Sequence, residues 1–379
     1  MRMIAAVMHE QGLPRPYAQS KPFRIEEVEL QAPGPGEVLV EVRAAGLCHS
    51  DLTQVGTAIK RRVPIVGGHE GAGIVRELGE GVTGFAPGDH AVLVNVTGCG
   101  DCRHCRVSRP GLCQAVTSSR VEGKIATGTR RLQQIGGAEL NHWSGLSVFA
   151  QYAVVVPESI IKIDKSVPFD VAAMLGCGVM TGSGAVYNAA KVERGSSVAV
   201  VGLGGVGLSA VMAAREAGAS IIIGIDVLPS KFDLAKAVGC THCVDARDPT
   251  AAQQVKDLTD GGVDYAFETS GVMPAVDMAH ATAARGGEVV HVGVSTTEAS
   301  FPIKQWPLVI EERTYRGTFM GSGVPKRDIP RLIDLYQRGQ FPMDRLRSEF
   351  IPFERLNESL DLLDQGKVIR QILLPHGVQ

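Results

Sequence analysis

The sequence predicts an α/β protein of two domains, one rich in β-strands and one built on a doubly wound parallel sheet. Three observations lead to this prediction. The chain has 379 residues, its first third contains short valine-rich runs, and its middle alternates apolar strands with amphipathic helices. Because a typical domain has about 100–200 residues, this length allows two hydrophobic cores. Apolar residues make up 44% and charged residues 21%, as is ordinary for a soluble globular protein.

The overall charge and hydropathy exclude several classes of partner. The formal net charge is −2, which gives no reason to expect nucleic acid or an anionic membrane as a partner. No apolar run reaches about 18 residues, so no membrane span is expected. The start, MRMIAAVMHEQG, is interrupted by charge too early for a signal peptide. We therefore expect a reducing, cytoplasmic setting, in which clustered cysteines serve metal binding or catalysis rather than disulfides.

The first third of the chain predicts β-strands. Short apolar runs separated by Gly and Pro occur in EVLVEVRAAGLC (37–48), GAGIVRELGEGV (71–82) and GDHAVLVNVTG (88–98). These runs have period-2 stretches and no long helical stripe, which is typical of a β-rich unit.

The pattern changes near residue 170. Helical spacing in VPFDVAAMLGCGVMTGSGAVYNAAKV is followed by three repeats of an apolar strand and a helix, beginning at SSVAVVGLGG, SIIIGIDV and VDYAFETS. Continuous apolar runs between helices indicate strands covered on both faces, hence a parallel sheet. Two amphipathic helices, DIPRLIDLYQRGQF and FERLNESLDLLDQGK, precede a closing strand, IRQILL. No polar linker separates the parts, so we expect closely packed domains with the ligand in a cleft between them.

A dinucleotide-binding pattern lies in VAVVGLGGVGLSA, where Gly202, Gly204 and Gly207 have G-x-G-x-x-G spacing between a strand and a helix. The first glycine permits a tight turn, the second lets a pyrophosphate approach the backbone, and the third lets helix and strand pack closely. Asp226 ends the next strand, where an acid binds the ribose hydroxyls and repels a 2′-phosphate. The pattern therefore predicts a Rossmann domain that binds NAD rather than NADP. A glycine-rich turn without a cofactor is the alternative.

Half of the eight cysteines lie in GCGDCRHCRVSRPGLC (98–113). A disulfide, a metal site and accident are the three possible explanations. The spacing C-x2-C-x2-C-x7-C lets one loop surround one ion with four thiolates, which is the closed, structural type of zinc site. An iron–sulfur cluster uses similar spacing, but nothing in the sequence indicates electron transfer. We therefore predict a structural zinc ion bound by Cys99, Cys102, Cys105 and Cys113.

Three further motifs are ordinary when taken singly: GLCHSDL (46–52), GGHEGAG (67–73) and MLGCGVMTG (174–182). In this order, together with the four-cysteine loop, GLGGVG and IRQILL, they make the chain resemble the zinc-dependent alcohol dehydrogenases of the medium-chain dehydrogenase/reductase superfamily. The resemblance runs nearly from end to end.

The resemblance implies two domains with defined bounds. A GroES-like, β-rich catalytic domain would comprise residues 1–178 and 322–379. A Rossmann NAD-binding domain, the doubly wound parallel sheet, would comprise residues 179–321.

The resemblance also implies a second, catalytic zinc ion held by Cys48, His69 and Cys177. Three protein ligands leave an open position for the substrate oxygen. Glu70 would lie behind the metal and enter its coordination transiently. Asp51 would accept a hydrogen bond from His69 and so fix the ring. The alternative is that these two acids have only a structural role.

Proton transfer is where the chain departs from the commoner family pattern. Ser50 matches the residue whose hydroxyl takes the proton of the substrate alcohol. The histidine that often continues the relay is replaced by Thr53. Water or His49 would then be the terminal acceptor.

Several residues match cofactor contacts of the family. His49 matches a pyrophosphate contact often held by arginine, and Arg370 matches a phosphate contact. Lys231 matches a ribose contact. Lys231 and Arg370 would otherwise be solvated surface residues. The other cofactor contacts implied are Thr181 and Val294 near the nicotinamide, and Gly205 and Val206 within the glycine-rich loop.

Four residues match the family's substrate pocket: Asn95, Trp143, Ser144 and Phe319. Position 95 is frequently aromatic in the family but is polar here. One large aromatic residue and a few polar groups would suit an aryl or medium-length primary alcohol, or a larger polar substrate.

Three functions follow. The first is an NAD-dependent primary or aromatic alcohol dehydrogenase with a small-molecule alcohol or aldehyde as its partner. The second is a dehydrogenase of a formaldehyde–thiol adduct; its glutathione version is disfavoured because QAVTSS, without an arginine, follows Cys113. The third is a non-catalytic binding protein, although all seven zinc ligands are present. The segment 114–144 is absent from the shorter tetrameric relatives, so the resemblance implies a homodimer.

Overall fold

The structure, a computed structural model, describes residues 1–377. Its strands are β1 (Arg2–Met8), β2 (Phe23–Leu30), β3 (Val38–Leu47), β4 (Ile65–Val66), β5 (Gly71–Leu78), β6 (His90–Leu93), β7 (Leu132–Gln134), β8 (Glu139–His142), β9 (Tyr152–Val155), β10 (Ile160–Ile163), β11 (Ser197–Val201), β12 (Ile221–Asp226), β13 (His242–Asp245), β14 (Val263–Glu268), β15 (Ala283–His291), β16 (Thr314–Gly317), β17 (Arg347–Ile351) and β18 (Arg370–Leu373).

The helices occur mainly in the second half of the chain. They are α1 (Tyr17–Ser20), α2 (His49–Val55), α3 (Arg103–Arg106), α4 (Gln114–Val121), α5 (Phe169–Met174), α6 (Gly178–Gly184), α7 (Gly205–Ala217), α8 (Phe232–Val238), α9 (Ala251–Leu258), α10 (Met273–Thr282), α11 (Gln305–Ile310), α12 (Pro325–Gln337) and α13 (Leu356–Asp364). Across residues 1–377, none of them is long and apolar enough to cross a membrane.

Among the described residues, the first compact unit comprises residues 1–177, 324–330 and 347–377 by its contacts. Five of its strands close into a barrel in the order β1-β2-β7-β8-β4. A second sheet has the order β10-β6-β5-β3-β18-β17, and β9 also pairs with β3. Aromatic rings fill the core of this unit, where Phe23 contacts Trp143 at 6.3 Å and Phe149 at 5.8 Å between ring centroids. The β-rich unit predicted from the sequence is confirmed.

The pairing of β3 with β5 brings two distant parts of the sequence together. Ala45, near the end of β3, lies opposite Gly71, the first residue of β5. The antiparallel register therefore places the residues that follow β3 beside those that precede β5. Gly73 permits the close approach, because a Cβ there would collide with the carbonyl oxygen of Glu41 on β3.

The second compact unit comprises residues 178–323 and 331–346. Its six strands are all parallel and have the order β13-β12-β11-β14-β15-β16. Numbered within the unit, this is the order 3-2-1-4-5-6 of the Rossmann fold, and the chain reverses direction across the sheet at β11 and β14. The predicted parallel sheet is confirmed.

The unit boundaries differ from the sequence-based division at residue 178, at residues 322–323 and, over the longest stretch, at residues 331–346. That division placed residues 322–379 wholly in the first domain, whereas contacts assign 331–346 to the second unit. The physical reason is visible at Arg331, whose guanidinium stacks on Tyr187 at 3.9 Å and forms an ion pair with Glu216 at 3.1 Å. Both partners belong to the second unit.

Candidate active site and metal centres

Two groups of side chains converge in the first unit with the geometry of metal sites. One is Cys48, His69, Glu70 and Cys177, and the other is Cys99, Cys102, Cys105 and Cys113. In each group the potential ligand atoms all lie within 4.8 Å of one another. Within residues 1–377 these are the only sets of three or more His, Cys, Asp or Glu residues that meet this condition.

Three separate segments supply the first group. Cys48 follows β3 and is the N-cap of α2, His69 lies in the loop before β5, and Cys177 follows α5. The β3–β5 register brings the first two together. The third is fixed by the backbone, because the N–H of Asn95 donates to the carbonyl of Gly176 at 3.2 Å.

Asp51 orients both Cys48 and His69. Its Oδ2 accepts the backbone N–H of Cys48 at 2.9 Å, and its Oδ1 lies 2.9 Å from Nδ1 of His69. This bond leaves Nε2 of the ring as the metal-binding nitrogen. Nε2 is buried and has no hydrogen-bond partner within residues 1–377. A buried imidazole nitrogen held among two thiols and a carboxylate fits a zinc ion.

The electrostatics of the two thiols also favour a cation. The pKa of Cys48 is well below its usual range because the thiol of Cys177 donates to it and because Arg370 and His69 stabilise its negative charge. The same contact with Cys48, together with burial, raises the pKa of Cys177. A zinc ion would favour deprotonation of both thiols.

Glu70 lies at the back of this site, fully buried. Its Oε1 accepts a hydrogen bond from Nη1 of Arg370 at 3.1 Å. Gly46 provides the space, because a Cβ there would overlap the Glu70 carboxylate. Arg370 is itself buried and also donates to the carbonyl of Leu47, so it is not a surface residue. Its phosphate contact stays a prediction.

The second group fits a closed zinc site. Four sulfurs at the Zn–S distance of about 2.3 Å in a tetrahedron lie about 3.8 Å apart. The Sγ atoms of Cys102 and Cys105 are 3.5 Å apart. Backbone N–H groups of Cys99 and Cys102 donate to the sulfurs of Cys113 and Cys99 at 3.4 and 3.3 Å, as expected around thiolates. Hydrogen bonds to the Cys99 sulfur, the largest contribution coming from the backbone of Cys102, lower the pKa of Cys99 to about 7.

In the second unit, the glycine-rich loop joins β11 to α7, as the sequence predicts. Gly202 has a φ of +97°, which favours glycine, and a Cβ at Gly207 would collide with the carbonyl oxygen of Gly202. A Cβ at Gly204 would meet no atom within 4 Å, so this side of the loop is open. With Gly205 and Val206 beginning the 13-residue helix α7, the loop fits a pyrophosphate.

Asp226 ends β12 and is buried at the edge of this loop. Its carboxylate accepts the backbone N–H of Leu203 at 2.7 Å and of Leu228 at 2.9 Å, and it forms an ion pair with Lys231 at 3.0 Å. These contacts fix the carboxylate beside the glycine-rich loop. Its ribose contact and that of Lys231 stay predictions.

The relay residues lie at the start of α2. Ser50 is exposed, with its Oγ 3.7 Å from Sγ of Cys48. The ring of His49 is also exposed, whereas the Thr53 hydroxyl donates to the backbone carbonyl of His49 at 3.0 Å. The Thr53 hydroxyl is thus hydrogen-bonded within its own helix.

The residues assigned to the substrate pocket lie in different environments. Trp143 is only 1% exposed and packs in the aromatic core on Phe23. Asn95 and Ser144 are partly buried in the first unit. In the second unit Phe319 and Val294 are exposed, and Thr181 is buried with its hydroxyl 3.5 Å from Sδ of Met320. Their pocket and nicotinamide roles stay predictions.

Sequence reasoning missed two positioning residues. Thr269, directly after β14, donates its hydroxyl to the carbonyl of Gly202 at 2.7 Å and so holds the glycine-rich loop. A polar residue at the carboxyl end of a parallel strand was the available signal. Gly46 is the second positioning residue that was missed. A glycine inside a strand and next to a metal ligand indicates the close approach of another group.

Comparisons with known proteins cover nearly the whole chain. Residues 34–165 match the family model of the alcohol dehydrogenase GroES-like domain, and residues 205–338 match that of the zinc-binding dehydrogenase. A class-3 alcohol dehydrogenase of Myxine glutinosa is 40% identical over 357 residues, covering 93% of this chain and 94% of the relative. That of Drosophila melanogaster is 38% identical over 359 residues, with the same two coverages.

Solved structures with similar folds indicate the same family as the sequence comparisons. Benzyl alcohol dehydrogenase from Acinetobacter calcoaceticus is 34% identical with a TM-score of 0.91. An alcohol dehydrogenase zinc-binding domain protein from Burkholderia ambifaria is 36% identical with a TM-score of 0.92. Both similarities cover 99% of each chain.

Replacing Asp51 by asparagine should weaken zinc binding at the three-segment site about 10–100-fold, because the His69 ring loses the carboxylate that fixes it. Competition with a chromophoric chelator measures this affinity. Asp101→Asn, at an exposed acid in the four-cysteine loop, is the matched control and should leave it unchanged. Equal affinities in the Asp51 variant and the wild type would contradict the orienting role.

Replacing Cys102 by serine should lower the melting temperature by about 5 °C or more, because the loop loses one of four ligands to a structural ion. The fraction of the Cys102→Ser variant that remains folded should keep a near-normal KM. The control is Cys243→Ser, at a partly buried cysteine of the second unit that belongs to neither group. Lost activity with unchanged melting would refute the structural assignment.

Proposed function

The chain belongs to the zinc-dependent alcohol dehydrogenases of the medium-chain dehydrogenase/reductase superfamily and is an NAD-dependent zinc enzyme, and from that premise we propose that it oxidises a primary or aromatic alcohol to the aldehyde. One observation carries the proposal: Nε2 of His69, without a hydrogen-bond partner in residues 1–377, lies among two thiols and a carboxylate. The Ser50 hydroxyl is 3.7 Å from one of these thiols, that of Cys48. Benzyl alcohol dehydrogenase, similar over almost the full length, supports an aromatic substrate.

Zinc and NAD, when bound, would supply the chemistry that side chains lack. Zinc at the three-segment site would supply a Lewis acid for the substrate oxygen, and NAD would supply the acceptor for the hydride of the carbinol carbon. The products are the aldehyde, NADH and one proton. Cys48, His69 and Cys177 would hold the ion, and Cys99, Cys102, Cys105 and Cys113 would hold a second one that stabilises the loop.

The protein's own part in the reaction is to move the hydroxyl proton. Ser50 is the proposed first acceptor, because its exposed hydroxyl is 3.7 Å from the Cys48 sulfur. The exposed ring of His49 is the next titratable group on α2 and would pass the proton to solvent. Thr53, which donates to a backbone carbonyl, takes no part.

A formaldehyde–thiol adduct is the second candidate substrate. Oxidation of its hydroxymethyl carbon removes two electrons, as oxidation of an alcohol's carbinol carbon does. The hydride would pass to NAD in the same way. The class-3 alcohol dehydrogenases, which are similar over 93% of this chain, are the reason to include it.

Purified enzyme with NAD and zinc should reduce NAD when given benzylic or aliphatic primary alcohols or hydroxymethyl thiols, as measured by NADH absorbance. Ser50→Ala should lower kcat about 10²-fold or more, because the proton loses its positioned acceptor. Thr53→Ala is the control on the same helix and should retain the wild-type rate.

Two outcomes count against this proposal. A Ser50→Ala variant with the wild-type rate would remove the relay assignment. No turnover of any of these substrates by the wild type would favour the non-catalytic binding protein.

We further propose a homodimer in the cytoplasm. The outer strand β16 pairs with β15 alone within the described chain, and the preceding segment exposes apolar side chains. Trp306 on α11 is 67% exposed, and its neighbours Leu308, Val309 and Ile310 are exposed as well. An open strand edge beside an exposed apolar row is typical of a protein interface. A reducing compartment would keep the zinc-binding thiols reduced.

Mass photometry should therefore give about 80 kDa, twice the chain mass of 40.2 kDa. Trp306→Glu should shift the distribution to the monomer, because a charge in the apolar row opposes association. Val121→Glu, at an exposed apolar residue of the first unit, is the control and should remain dimeric. A wild-type monomer at micromolar concentration would contradict the proposal.

A further inference from the structure

Two of the eight cysteines belong to neither metal group, and both lie in the second unit. Cys240 is buried in the turn between α8 and β13, and Cys243 is partly buried in β13. Their C-x2-C spacing is typical of a metal site or of a redox pair. Within residues 1–377 no third ligand atom joins them in a metal-binding group, so the spacing favours the redox pair.

The two sulfurs lie on the same face of the parallel sheet, over Gly224 of β12. Cys243 is directly paired with Gly224, and paired residues of neighbouring strands have side chains on the same face. On that face, a Cβ at Gly224 would lie 2.8 Å from Sγ of Cys240. The glycine therefore leaves the space in which the two cysteine side chains meet.

The contact between the thiols makes them chemically unequal. The thiol of Cys240 donates a hydrogen bond to the sulfur of Cys243, which lowers the pKa of Cys243, and the positive charge of Lys236 lowers it further. The same contact, together with burial, raises the pKa of Cys240. Cys243 is therefore suited to attack an oxidant as the thiolate, and Cys240 is placed to react with it afterwards.

The Cys240 sulfur also packs against the glycine-rich loop. The position of a Cβ on Gly224, 2.8 Å from this sulfur, is 3.1 Å from a methyl carbon of Leu203. Leu203 lies between the first two glycines of the loop, and its backbone N–H donates to Asp226 at 2.7 Å. A displacement of this sulfur would therefore disturb the loop predicted to hold the pyrophosphate.

The Cys243 sulfur lies on the other side of the predicted cofactor site. It is 3.8 Å from the carbonyl oxygen of Phe232, the first residue of α8. The preceding residue is Lys231, which is predicted to contact the ribose. A covalent bond draws two sulfurs closer together than a hydrogen bond does. Joining them would therefore move at least one of them relative to the segments that bind the adenosine half of the cofactor.

We propose that Cys240 and Cys243 form a reversible dithiol–disulfide site, which a hydroperoxide oxidises and which lowers the affinity for NAD when oxidised. This inference rests on NAD binding at the glycine-rich loop. Disulfides that form in reducing compartments are usually transient and redox-sensing, which is consistent with this assignment.

The oxidation balances over two steps. The Cys243 thiolate attacks a peroxide oxygen, so an S–O bond forms and the O–O bond breaks. The leaving hydroxide takes up the proton that Cys243 released and becomes water. The Cys240 sulfur then attacks the sulfenic acid, so the S–S bond forms, the S–O bond breaks, and a second water leaves with the Cys240 proton. The two sulfurs lose two electrons and the peroxide gains two. An external dithiol reverses the reaction by exchange.

Peptide mass spectrometry tests the disulfide. Zinc-loaded wild-type enzyme is treated with hydrogen peroxide, alkylated and digested with trypsin. The tryptic peptide AVGCTHCVDAR (237–247) contains these two cysteines and no other. It should escape alkylation and be about 2 Da lighter than the dithiol, and dithiothreitol should restore the dithiol. Two alkylated thiols after peroxide, or sulfinic acid on Cys243 without a disulfide, would overturn the proposal.

A fluorescence titration with NADH tests the effect on cofactor binding. Because segments on both sides of the cofactor site would shift, the Kd of the oxidised enzyme should be about threefold or more above that of the reduced enzyme. Treatment with dithiothreitol should restore the lower Kd. An unchanged Kd in a sample that contains the disulfide would overturn the proposal.

Variants assign the effect to this pair rather than to the zinc-binding thiols. Cys243→Ser, which removes the attacking thiolate, should keep the Kd of the reduced wild type after peroxide. Cys240→Ser should accumulate sulfinic acid on Cys243 instead of a disulfide. His242→Gln, at the exposed residue between them, is the matched control and should respond like the wild type. A rise in Kd in Cys243→Ser as large as in the wild type would overturn the proposal. If one cysteine variant fails to fold, the other decides.

Neither readout needs an alcohol, so this proposal and the proposed substrate fail separately. Reduced wild-type enzyme that binds NADH but oxidises no alcohol would refute the substrate alone. Reduced enzyme that does not bind NADH would refute the cofactor assignment and this proposal with it.

Discussion

The carboxylate of Asp51 is the contact on which the three-segment metal site depends. It is fully buried, and its two oxygens accept from the backbone of Cys48 and from the ring of His69. A buried carboxylate is destabilising unless its oxygens are hydrogen-bonded, so the fold holds both donors in place around it. The same two bonds start helix α2 at one ligand and select the metal-binding nitrogen of another. The two hydrogen bonds of Asp51 therefore cap the helix and also set the geometry of the metal site.

Charge balance explains why this part of the core is polar. Glu70 and Arg370 neutralise each other at 3.1 Å, and both are buried. Two thiolates would carry two further negative charges, which a divalent ion offsets. The contact between the two thiols lowers the pKa of Cys48 and raises that of Cys177.

The sequence predicted the local features well, for physical reasons. Strand and helix periods depend on near neighbours, and strands β11, β12 and β14 and the amphipathic helices α12 and α13 lie where the patterns place them. The four-cysteine loop is also local, because fifteen consecutive residues carry all four sulfurs. The set Cys48, His69 and Cys177 could be identified only from the family resemblance, because the spacing between these residues contains no geometric information.

By itself the sequence determined the two-domain α/β class, the glycine-rich loop followed by Asp226, and the four-thiolate loop. Tertiary structure alone decided that Trp143 lies in the aromatic core, that Arg370 is buried against Glu70, and that residues 331–346 join the second unit. Burial and pairing of a side chain are set by segments far away in the sequence. Local periodicity therefore predicts the elements, and long-range packing decides the environment of each charge.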